Sequence, residues 1–248
     1  MASTDQFRER LLQIMDQKNH WAWPWFSEGR VPLAKLLPHF QREWEVYVRD
    51  FPVMLARVLG HRPPESVCSA LAANIYEEQT GGISNSKPHP ELFLRMMEGC
   101  GFSRAQFENV SLPPRAAAYR AFLDRMSWDA PWIRGAAVLT IFVEGSANER
   151  SALQAIHSPN PLTPAEIEEK VQRHPLVLHH HVPAWAMELV RVHQRVEGGH
   201  RDDAWKAVLE HIVDEQQESV AQALDEALKL WLAFRDEVAE ACGISKPG

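Results

Sequence analysis

His193, Glu197 and His200 stand at i, i+4 and i+7 in the stretch from Arg191 to Asp203. On an α-helix those positions share one face. Two imidazoles and a carboxylate on one stripe suit a divalent metal that accepts both nitrogen and oxygen ligands. A polar helix face that happens to carry two histidines gives the same pattern, so the motif needs support from elsewhere. A metal site built across a helical bundle draws donors from several helices, and this chain offers them. Asn74-Ile-Tyr-Glu77-Glu78-Gln-Thr-Gly-Gly ends an apolar segment with two adjacent carboxylates. Successive helix positions are rotated by about 100°, so Glu77 and Glu78 cannot both point straight inward. Acids in a last helical turn oppose the helix dipole, and such a local inconsistency marks a candidate functional position. His89 follows Pro88 where the next periodic segment begins. Glu144 ends the run from Gly135 to Val143, which is almost wholly apolar or small. A carboxylate there is expected to be buried, and a buried charge is costly unless it is paired or holds a metal.

The segments that carry these residues read as helices. Phe7, Leu11, Leu12, Ile14 and Met15 form the apolar side of a first helix. The run from His20 to Phe26 cannot be a regular helix interior, because Pro24 lacks a backbone donor. The periodicity predicts a long helix from Pro32 to Leu59 with a kink at Phe51-Pro52. A second runs from Pro64 to Gln79 and stops at Gly81-Gly82. A loop then leads to a helix opening at His89. Pro113-Pro114 starts a helix reaching Ser127, and Trp132 to Ile156 is strongly apolar around Glu144. Thr163-Pro164-Ala-Glu166 is a capping box with proline at the first helical position. Helices fill most of the remaining chain to Ala241, broken at Pro183 and weakened at Gly198-Gly199. No segment shows convincing strand alternation. The expected fold is all-α, a bundle of about seven to ten helices in one domain over residues 1–248.

Bulk properties narrow the function. Of 248 residues, 45% are hydrophobic, which is ample for a buried core. A net charge of -7 argues against a nucleic-acid partner, which would call for a concentrated basic surface. Cys68, Cys100 and Cys242 are far apart and read as reduced thiols of a cytoplasmic protein. The polar N-terminus carries no signal-peptide pattern, and no apolar run approaches the ~20 residues of a membrane span.

Taken together, Glu78, His89, Glu144 and His193-x3-Glu197-x2-His200 resemble the six-ligand set of the heme-oxygenase-like diiron oxidases and oxygenases. These share their fold with pyrroloquinoline-quinone synthase and thiaminase II. The first family motif, Asn-x-x-(Asp/Glu)-Glu followed by glycine and a histidine, is matched by Asn74, Glu77, Glu78, Gly81 and His89. The second, one glutamate in an apolar helix, is matched by Glu144. The third is usually His-x3-Asp-x2-His, and here Glu197 replaces the aspartate. The resemblance to the self-sacrificing para-aminobenzoate synthase of this family is partial. Trp23 stands where that enzyme has a tyrosine, so its side reaction is not expected.

The resemblance implies a heme-oxygenase-like bundle holding two Fe(II) ions, with manganese as an alternative metal. Glu78, His89, Glu144, His193, Glu197 and His200 would be the ligands. Glu144 is favoured as the bridging carboxylate, and Glu78, Glu144 and Glu197 are expected to act in catalysis. Three carboxylates come close to balancing two ferrous ions, and a donor set without thiolate fits iron or manganese better than structural zinc. O2 would be the co-substrate and a small metabolite the substrate, with N-oxygenation of an amine favoured over oxidative C–C cleavage of an amino or fatty acid. An external electron donor and a homodimer are both compatible with this reading. The rivals are a cofactorless enzyme of the same fold and a non-enzymatic helical interaction protein.

Other conspicuous residues are weighed against simpler roles. His179-His180-His181 point in different directions on a helix and cannot all hold one ion, so they read as a solvated helix end. His211 and Asp214 read as a polar face. Trp21, Trp23 and Trp25 are candidates for a substrate pocket, although tryptophan more often packs in the core. Glu45 and Tyr47 could reach the bundle interior.

Overall fold

The computed structural model describes residues 3–156 and 162–246, excepting the side chains of residues 156, 196–198 and 200. Among the described residues there are helices and turns and no strand. The order is α1 (Thr4–Asp16), α2 (Trp23–Ser27), α3 (Leu37–Glu43), α4 (Phe51–Gly60), α5 (Glu65–Thr80), α6 (His89–Gly99) and α7 (Pro114–Trp128). Then come α8 (Trp132–Ala136), α9 (Glu149–Ile156), α10 (Pro164–Gln172), α11 (Pro175–Leu178), α12 (Glu188–His211) and α13 (Asp214–Ala241). More helices form than the seven to ten expected, because proline and local changes of winding cut long periodic runs into short pieces.

The stretch from Pro32 to Leu59 shows this. Instead of one kinked helix it forms a 3-10 turn at Leu33–Leu36, then α3, then a π-helical turn at Trp44–Val48, and α4 only from Phe51. Likewise α8 passes into a π-helical segment at Ala137–Val143 and stops. Glu144 caps that segment, and α9 begins after a short loop. A π-helical turn widens the helix and redirects the side chains that follow, and such turns are frequent at functional sites. Both π segments here carry cavity-lining residues, Tyr47 and Val48 on one and Thr140 and Val143 on the other.

Helix α12 organises the site half of the molecule. Its apolar stripe includes Leu189, Val192, Ala204, Trp205 and Val208, all buried. It packs on α5, α6, α9, α10 and the π segment after α8. The glycines Gly198 and Gly199 do not interrupt it, as the helix runs unbroken from Glu188 to His211. Helix α13 anchors the other half against α1, α3 and α7. Its buried stripe of Val220, Leu224, Ala227, Leu228, Trp231, Phe234 and Val238 also includes one charged residue, Arg235. No described helix is long and apolar enough to cross a membrane.

Candidate metal centre

Helix α5 ends where Gly81 adopts a left-handed conformation at φ 67°, which glycine takes without steric cost. Its N–H donates to Glu77 O. The chain then folds back, with Ser86 N donating to Gly81 O at 2.8 Å. This returns His89, the first residue of α6, to the end of α5. The two adjacent acids diverge around that histidine. Glu77 is fully buried. Its Oε2 accepts the N–H groups of Ile83 (2.8 Å) and Ser84 (3.0 Å). Its Oε1 lies 3.2 Å from His89 Nε2. Glu78 lies on the other side of the ring, with Oε1 2.8 Å from His89 Nδ1. The folded-back loop therefore supplies the positive dipoles that an acid in a C-terminal turn otherwise lacks.

Burial works against a charged His89, but Glu78 first and Glu77 next outweigh it and raise its pKa above the ordinary histidine value. Burial also opposes the Glu77 charge, and the bonds from Ser84, His89 and Ile83 outweigh that and hold its pKa below the usual carboxylate range.

His193 joins this pair from α12. Its ring centroid is 5.1 Å from that of His89. One ligand atom each from Glu78, His89 and His193 lies within 4.8 Å of the others. The three line a cavity of about 290 Å³ whose walls also include Tyr47, Glu144 and Arg201. Glu144 is steadied by Asn74, one turn before Glu78 on α5, whose Nδ2 donates to Glu144 Oε1 at 2.9 Å. Four of the six expected ligands thus face one cavity. The side chains of the other two, Glu197 and His200, lie outside the described residues.

The donors fit a cation of the iron or manganese type. His89 Nδ1 is buried and has no hydrogen bond of good geometry, although a carboxylate oxygen lies only 2.8 Å away. Burying such an atom without a partner is costly, and a metal between it and Glu78 would satisfy both. Glu77 on the far nitrogen matches the carboxylate–histidine–metal arrangement that fixes a ligand histidine's tautomer.

A family model described as "Iron-containing redox enzyme" matches residues 38–234. The chain belongs to that family. The matched span includes all four segments that carry the expected ligands, and most of α13. Among solved structures, a TenA homolog from Pseudomonas syringae pv. tomato is similar over 96% of both chains, with a TM-score of 0.68 at 13% identity. At that identity the likeness shows a shared heme-oxygenase-like fold and leaves the chemistry open. No curated protein sequence matches the chain.

Several residues of the site carry no signal in the motif. Arg201 reaches the cavity wall and pairs with the buried Glu149, Nε to Oε1 at 3.1 Å. Trp205 Nε1 donates to the same oxygen at 2.9 Å, and Ser146 N donates to Glu149 Oε2 at 3.2 Å. This network pins the loop that follows Glu144 to α12. Lys18, also buried, donates to the carbonyls of Phe142 and Gly145, each at 2.5 Å, and of Val143 at 3.2 Å. Those carbonyls flank Glu144, so Lys18 closes the end of its π segment as a cap does.

The decoys resolve as ordinary structure. His179 and His181 are exposed, and His181 has φ 55° just past α11. His211 bonds Ser66 Oγ at 2.9 Å, and Asp214 accepts from Gln217. Glu45 pairs with Arg49. Of the three tryptophans, Trp21 donates to Asp236 at 2.6 Å and Trp25 is partly exposed beside Arg30. Trp23 lines a second cavity.

Proposed function

We propose that this protein is an O2-dependent non-heme diiron oxidase or oxygenase acting on a small metabolite, with N-oxygenation of an amine as the favoured outcome. The observation that carries the reading is the convergence of Glu78, His89 and His193 beside Glu144 on one cavity wall, in a chain of an iron-containing redox family. Glu78, His89 and His193 would hold one iron, Glu144 would bridge, and Glu197 and His200 would complete the second position. Bound iron would supply electrons to O2.

The remaining work falls to the protein. Glu77 Oε1, 3.2 Å from His89 Nε2, would hold the ring proton on that nitrogen and leave Nδ1 able to take a metal. Asn74 fixes one oxygen of Glu144. Val48, Phe51, Val143 and Leu189 give the cavity an apolar wall, which keeps water from competing with substrate.

A cofactorless enzyme that works through a cysteine finds less support. Cys100 and Cys242 are buried, and burial raises their thiols to about 12 and about 11. Cys68 donates to Pro63 O on the outer side of α5. None of the three lines either cavity, so a thiolate nucleophile has no place there. Oxygen uptake tests the proposal. Anaerobically iron-loaded protein should consume O2 in proportion to its bound iron, and His193→Ala should lose at least half of that uptake. Iron-loaded protein that leaves O2 untouched would remove the oxidase reading.

A further inference from the structure

A second cavity of about 360 Å³ lies behind Tyr47, Val143 and Gly145, and those three residues also line the metal-site cavity. Its walls are aromatic and cationic: Trp23, Tyr47, Tyr119 and Trp231 surround Lys18 and Arg235. Arg235 is only 6% exposed. Its guanidinium carbon sits 5.1 Å from the ring centres of both Trp23 and Trp231. Nη2 donates to Tyr47 Oη at 3.1 Å, Nη1 pairs with Glu43, and Nε has no partner.

The charge of this wall is unbalanced. Lys18 spends its hydrogens on three carbonyls and forms no ion pair with a described carboxylate. Glu43 answers Arg235 from outside the cavity lining. Burial first, and the neighbouring Arg235 second, bring the Lys18 ammonium down to about 7, against the opposing pull of Glu149 and Glu43. A purely structural ion pair would leave no cavity against the guanidinium-bearing side chain, yet Arg235 lines this one. Aromatic walls with a few convergent polar groups are the usual make-up of a small-molecule site, and a guanidinium nitrogen among indoles is suited to a carboxylate.

We propose that this second cavity binds the carboxylate of a small organic acid with an apolar or aromatic body. The carboxylate pairs with the Arg235 guanidinium within the field of Lys18, and the body lies along Trp23 and Trp231. Its far end then passes Tyr47 toward the cavity that holds Glu144. As a statement about substrate class, this deepens the proposed function and rests on it. As a statement about binding, it needs no metal.

The test uses full-length, chelator-treated protein with 3-phenylpropanoate and its uncharged analogue 3-phenylpropan-1-ol, followed by calorimetry and tryptophan fluorescence. The acid should bind one per chain, at least tenfold tighter than the alcohol, with a change in tryptophan emission. Arg235→Gln should abolish the preference for the acid. Because that change also breaks the Glu43 pair, Ala147→Phe provides a second variant: it fills the cavity rim without touching the pair and should remove binding while circular dichroism stays that of the parent. No saturable binding of the acid, equal affinity for acid and alcohol, or full affinity in folded Ala147→Phe would each overturn the proposal. Iron uptake on the same preparations separates the two readings. Protein that binds the acid but never iron would refute the diiron function and keep this site. Protein that binds iron but not the acid would do the reverse.

Discussion

Replacing Glu77 by glutamine tests whether this acid is the support of His89 or an incidental buried charge. The change conserves size and removes the charge from a side chain with no solvent exposure. Glutamine offers one acceptor and one donor where Glu77 uses two acceptors, so the new amide has two choices. If its NH2 faces the loop, the N–H groups of Ile83 and Ser84 lose their acceptor. If it faces His89, it can donate to Nε2 only when that nitrogen carries no proton, so the ring proton must then sit on the Glu78 side. Hydrogen bonds to a charged group are worth about 1.5–3 kcal/mol each, and a stranded buried donor costs about 1–3 kcal/mol. A loss of about 2–4 kcal/mol follows for the metal-free protein, or roughly 5–15 °C in Tm for a chain of this size. Loss of a supporting carboxylate behind a ligand histidine weakens metal binding about 10–100-fold. Thermal melts of metal-free protein and Fe(II) titration against a competing chelator measure the two effects. A Tm within about 2 °C of the parent together with unchanged iron affinity would refute the reasoning.

Glu144→Ala should abolish binding of at least one iron while far-UV circular dichroism remains helical, and a variant that still bound two and consumed O2 normally would show Glu144 to be only a structural acid. His39 is half-buried and stacked on Phe26, and desolvation holds its pKa down to about 4. Its folded value lies below its unfolded value of about 6.5, so its contribution is intact above pH 6.5 and is lost as pH falls toward 4, on the order of 3 kcal/mol in full. His39→Phe should flatten stability between those limits, and an equally steep acid limb in denaturant titrations would reject this. At Gly199 a Cβ would meet nothing within 4 Å, so Gly199→Ala should stabilise metal-free protein by up to about 1 kcal/mol through helix propensity alone, and a lower Tm would contradict it.

The segments that meet at the cavity were legible in the sequence because each broke a local rule: acids at a helix end, a glutamate in an apolar run, histidines at helical spacing. The roles of Glu77 and Glu78 were not separable there. Their division depends on a loop that folds back through Gly81 and delivers His89 between them, a matter of tertiary geometry. The expected long helix over Pro32–Leu59 failed for a similar reason. Apolar periodicity reports which face is buried and does not reveal a π turn that inserts a residue without changing composition. Lys18 and Arg235 were overlooked although Arg235 left a trace, standing four residues after Trp231 on the apolar stripe of α13. Lys18 left none, since its partners are carbonyls more than a hundred residues away. Among the tryptophans, it is the tertiary placement of Trp23 beside Arg235 and Trp231 of α13 that puts it on the wall of the second cavity.

The most direct test of the central claim is the amount of iron bound per folded chain. Anaerobic reconstitution with Fe(II), removal of loose metal and elemental analysis give that number, and Mössbauer spectra report the ligand environment. The account predicts two irons per chain in N/O surroundings, falling to one or none when His89 or His193 is replaced by alanine. A well-folded protein that retains no iron under these conditions, or retains it equally after either replacement, would contradict it.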